Sequence, residues 1–197
     1  MIVFVVGIYK SGTSYLTTLA EKVGPPLVID REATCQGVTR EYNIREAYEV
    51  NLLNNDIFEW YKQDIFYFSP QVFDEYKPNY EHVQKIKKIY QRYNYDCIMK
   101  DPRLIGSLPL WLDAIPDEIP VKILWSERNA EDICKSFMKD EWSNSKLKKS
   151  VEDTVKELQL KLAYRKSLEG IGETFRYEHV VNNEDETLER IQSYLNG

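Results

Sequence analysis

The chain is poor in the residues that build metal and disulfide scaffolds. Its 197 residues include three cysteines, Cys35, Cys97 and Cys134, and two histidines, His82 and His179. An odd, scattered cysteine set argues against a disulfide framework and fits a reducing compartment. With two histidines and no C-x-x-C pair, a structural zinc site is not expected. Positive charge is also in deficit: 26 Lys and Arg stand against 32 Asp and Glu, a formal net charge of -6. Non-specific nucleic-acid binding needs a strong cationic field, so no nucleic-acid partner is expected. An anionic small ligand stays open, because a site needs only a few well-placed cations. Long apolar runs are missing as well. The run Ile2 to Val6 is too short for a signal-peptide core or a bilayer span, so the expectation is a cytoplasmic protein without a membrane partner.

What is present is apolar content of 43%, enough for one domain with a full core and short for two. No internal repeat, low-complexity tract or long linker divides it, so residues 1–197 read as one domain. Ile2 to Val6 is β-branched and aromatic, the pattern of a buried strand. A helix is expected from about Gly12 to Lys22, stopped by Gly24-Pro25-Pro26, and a short strand over Leu27 to Ile29. Asp30 to Gly37 reads as a loop. Glu41 to Lys62 has helical spacing, with Ile44, Ala47, Tyr48, Leu52, Phe58 and Trp60 as core contacts. Phe66 to Asn79, with Pro70 and Pro78, reads as irregular. Helix Tyr80 to Tyr93, strand Asp96 to Lys100, helix Leu104 to Ala114, strand Val121 to Ser126, helix Ala130 to Lys139, helix Leu147 to Leu168, strand Thr174 to Tyr177 and helix Thr187 to Leu195 complete the pattern. Strands alternating with helices imply an α/β fold with a central parallel sheet flanked by helices on both faces.

The segment Gly7-Ile8-Tyr9-Lys10-Ser11-Gly12-Thr13-Ser14 joins the first strand to the first helix. Anionic ligands bind there in open parallel sheets. The first helical turn offers N–H groups without internal partners, and its dipole favours negative charge. Gly7 and Gly12 fit the spacing of the nucleoside-triphosphate loop G-x-x-x-x-G-K-[ST], but Thr13 stands where that motif needs lysine. The loop's lysine is Lys10, which suits a shorter tail carrying one phosphate and one further anionic group.

A second segment, Arg128-Asn129-Ala130-Glu131-Asp132, again follows a strand, with Ser136 about two turns into the helix that Asn129 caps. A guanidinium binds phosphate oxygens through a planar fork. Taken singly, Arg128 is an ordinary surface arginine and Ser136 an ordinary helix position. Their joint spacing and the first loop give them weight. Lys100-Asp101-Pro102-Arg103 closes the middle strand, ahead of Leu108-Pro109-Leu110-Trp111.

Together these residues resemble the PAPS-dependent sulfotransferases, whose 5′-phosphosulfate loop reads approximately P-K-S-G-T-[ST]-[WYL]-L and whose 3′-phosphate motif resembles R-N-P-x-D-x-x-x-S. Tyr9 replaces the first proline and Ala130 the second. The resemblance extends from Val3 to Leu195 and implies a P-loop-NTPase-like sulfotransferase fold. It implies an enzyme that uses 3′-phosphoadenosine-5′-phosphosulfate (PAPS), with adenosine 3′,5′-bisphosphate (PAP) as product and no metal expected, because the transferred group carries only one negative charge. Lys10, Ser11, Gly12, Thr13 and Ser14 would bind the 5′ end, and Arg128 and Ser136 the 3′-phosphate. Lys10 and Lys100 would stabilise the leaving phosphate. Glu32 and Glu41 are rival general bases, with Asp101 third. The family's terminal R-K-G element is absent, which leaves the rest of the 3′-phosphate clamp unassigned. The acceptor is a small molecule or carbohydrate whose identity the residues do not specify, and the Phe66 to Tyr80 segment is either its pocket or core. A P-loop kinase and a non-catalytic PAPS- or PAP-binding module are the competing readings.

Overall fold

In the computed structural model, which describes residues 1–28, 47–75 and 79–197, the N-terminal apolar run forms β1 (Ile2–Gly7) with every residue buried. A strand without a polar side chain has no face to offer water, so it belongs inside a sheet covered on both sides. The remaining elements are α1 (Thr13–Val23), α2 (Tyr48–Trp60), α3 (Pro70–Asp74), α4 (Tyr80–Arg92), β2 (Cys97–Lys100), α5 (Leu104–Asp113) and β3 (Val121–Glu127). They are followed by α6 (Ala130–Met138), α7 (Glu141–Ser145), α8 (Val151–Glu169), β4 (Glu173–Arg176), α9 (Tyr177–Asn182) and α10 (Glu184–Asn196). The described strands form one sheet in the order β2-β1-β3-β4, with every neighbouring pair parallel. The period-2 alternation of β1 divides the core. Ile2, Phe4 and Val6 join the larger apolar cluster with α2 to α6 and α8, and Val3 and Val5 join a smaller one with α1, α9 and α10. The chain is therefore an α/β protein with a parallel sheet between two helical layers.

Several expectations need correction. In the expected strand Leu27 to Ile29, Leu27 makes a single parallel bridge to Ile98, and Ile29 lies outside the described residues. Pro25 and Pro26 have no N–H to give a ladder. The loop 30–37 with Cys35, and the start of the helix expected from Glu41, including Ile44, also lie outside them. Within α2, Ala47 at its N-cap and Phe58 are buried as expected, but Tyr48, Leu52 and Trp60 are exposed. The inward stripe is Val50, Leu53, Asn54, Ile57 and Phe58. Asn54 can face inward because its Oδ1 accepts from Ser107 Oγ at 2.7 Å and Trp111 Nε1 at 2.9 Å, which ties α2 to α5.

The segment read as irregular contains α3, where Pro70 occupies the helix start that suits proline. Phe66, Phe68 and Phe73 are core residues. The long C-terminal helix starts at Val151 rather than Leu147, because Ser150 caps it by accepting from Asp153 N at 3.1 Å. Tyr177 opens α9 instead of ending a strand, and α10 begins three residues before Thr187. The one-turn helix α7 had no periodic signal, and Asp140 creates it by capping Ser143 N.

Candidate functional site

β1 and β3 are neighbours, but the chain leaves β1 toward β2 and leaves β3 toward β4. Segments that diverge in this way open a crevice at the carboxyl ends of the two strands. A cleft of about 300 Å³ lies there, lined by Ile8 and Ser11 from the first loop, Ser126 and Arg128 from the end of β3, and Gln159 and Lys166 from α8.

The first loop is held by its own residues. Ser11 N and Ser11 Oγ both donate to Ile8 O, at 3.2 and 2.8 Å, and Ser126 Oγ donates to Ser11 O at 2.9 Å. The Ser11 hydroxyl is thus spent inside the loop, and Ser11 and Thr13 are both buried. Lys10 has φ 66° and Gly12 φ 93°, the left-handed region that costs a side-chain-bearing residue about 1–2 kcal/mol. Glycine removes that cost at position 12, which caps α1. At Lys10 the loop's own contacts bear it, the kind of strain that functional sites carry. In the first turn of α1, Tyr15 N and Leu16 N both donate to Gly12 O at 3.1 Å, and this turn is the positive end of the helix dipole.

Arg128 extends from the end of β3 across this loop. Its Nη1 donates to Lys10 O at 3.1 Å, and its guanidinium lies over the Tyr177 ring, 4.4 Å from the centroid. Its Nε is buried without an acceptor. Tyr177 covers the start of α1 so closely that a Cβ on Gly12 would have three ring carbons within 2.9 Å. Asn129 caps α6 by accepting from Glu131 N at 2.8 Å, while its own N–H donates to Glu178 at 2.9 Å. Lys10 is ion-paired with Asp140, and Lys166 with Glu127.

The sequence-derived candidates do not all meet at this cleft. Lys10, Ser11, Gly12, Thr13, Ser14 and Arg128 converge at the carboxyl ends of β1 and β3. Lys100 reaches that end of the sheet too, as the buried last residue of β2 in register with Val5, but it does not line the β1/β3 cleft. Ser136 is half-buried on α6, one turn beyond Ile133, and Ile133 is where the cleft meets that helix. Asp101 is buried and accepts from Arg103 N at 2.8 Å and Arg103 Nη1 at 3.0 Å, which commits its carboxylate. Glu32 and Glu41 lie outside the described residues.

The sequence reading missed Asp140, Lys166 and Gln159, and placed Tyr177 only as the end of a strand. Among the described residues no group of three or more His, Cys, Asp and Glu is placed to hold a metal, and no helix is long and apolar enough to cross a membrane. A second cleft, of about 500 Å³, is bounded by Tyr67, Lys148, Lys149 and Lys161. Within the aromatic segment, Tyr67 and Phe68 line this cleft, Phe66, Phe68 and Phe73 are buried in the core, and Tyr80 is exposed. No protein-family model matches this chain, and no curated protein matches it in sequence.

Proposed function

We propose that the chain is a cytoplasmic sulfotransferase of the P-loop-like type. It moves the sulfuryl group of PAPS to a hydroxyl or amine of a small-molecule or carbohydrate acceptor. The observation that carries this reading is the hydrogen bond from Arg128 to Lys10 O across 118 residues of sequence. A fork for one phosphate and a loop for another anionic group share a single end of the sheet. The fit is chemical as well as positional: Arg128 Nε is buried and lacks an acceptor, and the positive end of the α1 dipole lies beside a lysine.

PAPS supplies an activated sulfuryl group, and the chain's residues bind and polarise it. Lys10 and the N–H groups of α1 hold the 5′ anionic end and stabilise charge that grows on the departing oxygen. Arg128 and Ser136 hold the 3′-phosphate through charge-assisted hydrogen bonds. Lys100, at the end of the neighbouring strand, adds a second cation. A sulfuryl group carries a single negative charge, so side-chain cations suffice where phosphoryl transfer employs metal ions. Glu32 and Glu41 are the carboxylates assigned to take the acceptor's proton.

Calorimetric titration with PAP, with ATP as control, tests the reading on the wild type and on Lys10→Ala and Arg128→Ala. Removing either cation should cost about 1.5–3 kcal/mol, or about 10- to 150-fold in affinity, and ATP should bind more weakly than PAP. A folded protein that ignores PAP, or prefers ATP, overturns the proposal and returns the loop to the kinase reading.

A further inference from the structure

The cation at the centre of the first loop already has a partner. The Lys10 ammonium is ion-paired with Asp140 Oδ2, and the same carboxylate caps α7, accepting from Ser143 N at 3.2 Å and Ser143 Oγ at 3.1 Å. Burial pushes the Asp140 carboxyl up, but Lys10 and Ser143 outweigh it and hold the group below the usual carboxylate range. It therefore carries its charge at neutral pH. The two side chains keep 30% and 28% of their surface exposed, so an incoming anion can reach the pair.

We propose that Asp140 is the displaceable counter-ion of Lys10. Its carboxylate occupies the loop's cation until the 5′ anionic end of the ligand replaces it, which makes it a specificity-determining residue of the 5′ subsite. The inference rests on the PAPS reading above. Asp140 is not the general base. In an in-line transfer the attacking and departing oxygens lie on opposite sides of the transferred group. Lys10 serves the departing side, and a carboxylate held on its ammonium stands there too. After displacement, Ser143 N and Oγ still hold the carboxylate, so α7 keeps its cap. Re-pairing with Lys10 then competes with bound product and favours its release.

The test compares wild type with Asp140→Asn, which preserves helix capping because Asn caps as well as Asp. PAP and adenosine 3′-phosphate are titrated into each protein. The gain expected for PAP is about two- to fivefold, the range of partly exposed ion pairs. Adenosine 3′-phosphate has no 5′ anion and should bind both proteins equally. Unchanged or weaker PAP binding, or an equal gain with adenosine 3′-phosphate, overturns the proposal. Acylation of the Lys10 amine, followed by mass spectrometry, reports on the pair without any nucleotide and should be faster in the variant. Equal acylation rates refute the pairing itself. Faster acylation in a variant that, like the wild type, ignores PAP refutes the PAPS reading and this role with it, leaving only the ion pair.

Discussion

Gly12→Ala probes the most crowded point of the site, and its cost divides into parts that can be measured separately. Gly12 has φ 93°, where alanine is about 1–2 kcal/mol worse than glycine. The new methyl would overlap the Tyr177 ring, so the ring must move. Its displacement loosens the stack under Arg128 at 4.4 Å, a contact of about 0.5–1 kcal/mol. It also disturbs the edge contact with Tyr15, whose ring centroid is 6.4 Å away. Alanine restricts the unfolded chain and returns about 0.4–1 kcal/mol. The net loss is about 1–2 kcal/mol, which for a chain of this length lowers Tm by about 2–8 °C. Urea denaturation of wild type, Gly12→Ala, Tyr177→Ala and the double variant forms a cycle. Without the ring the overlap disappears and the backbone cost remains, so the coupling should be at least about 0.5 kcal/mol. Equal costs of Gly12→Ala in both backgrounds would show that Tyr177 does not cover the loop. No cost in either would show that position 12 is not left-handed.

Two further outcomes follow from the buried polar groups. Arg165 is almost fully buried and covers an opening in α5: Pro109 has no N–H for Ile105 O, and Arg165 Nε donates to that carbonyl at 3.2 Å. Its Nη1 pairs with Asp74 at 2.5 Å. Arg165→Met should cost about 3–5 kcal/mol in denaturant unfolding, because it removes the cation shared by Asp74 and Glu169 and leaves Ile105 O without its donor, and Arg165→Lys should recover little of it. His82 is buried on α4, and burial lowers its pKa despite the neighbouring Asp56. The unfolded chain then binds a proton more readily than the native one, so stability is full above about pH 6.5 and falls as pH drops through that value. Unfolding free energies at pH 7.5 and 5.5 should show this drop in the wild type and a smaller one in His82→Gln; an equal drop in both refutes the assignment.

How far the sequence could be read depended on whether the cause was local. β1, α4, β2, β3 and α6 lie within a residue or so of where their periodicity and flanks put them, because caps and apolar spacing are properties of a short window. α2 was misread for the opposite reason. Large apolar residues suggested an inward face through Tyr48, Leu52 and Trp60, yet the face is fixed by Asn54, whose acceptor finds Ser107 and Trp111 more than fifty residues away. No hydropathy pattern marks an asparagine whose acceptor is paired in the core.

The site divides in the same way. The Gly7–Ser14 loop and the Arg128–Ser136 segment carry their meaning in local spacing. Asp140 carries none in its own window beyond the cap of a one-turn helix. It meets Lys10 only because β3 lies against β1, which brings the chain that follows each strand to the same end of the sheet. A lysine in an anion-binding loop is expected to be an open charge. The fold instead supplies a carboxylate 130 residues later in the chain. On the proposed reading, affinity at this loop is a difference between two ion pairs, and a loop motif alone overstates what Lys10 contributes.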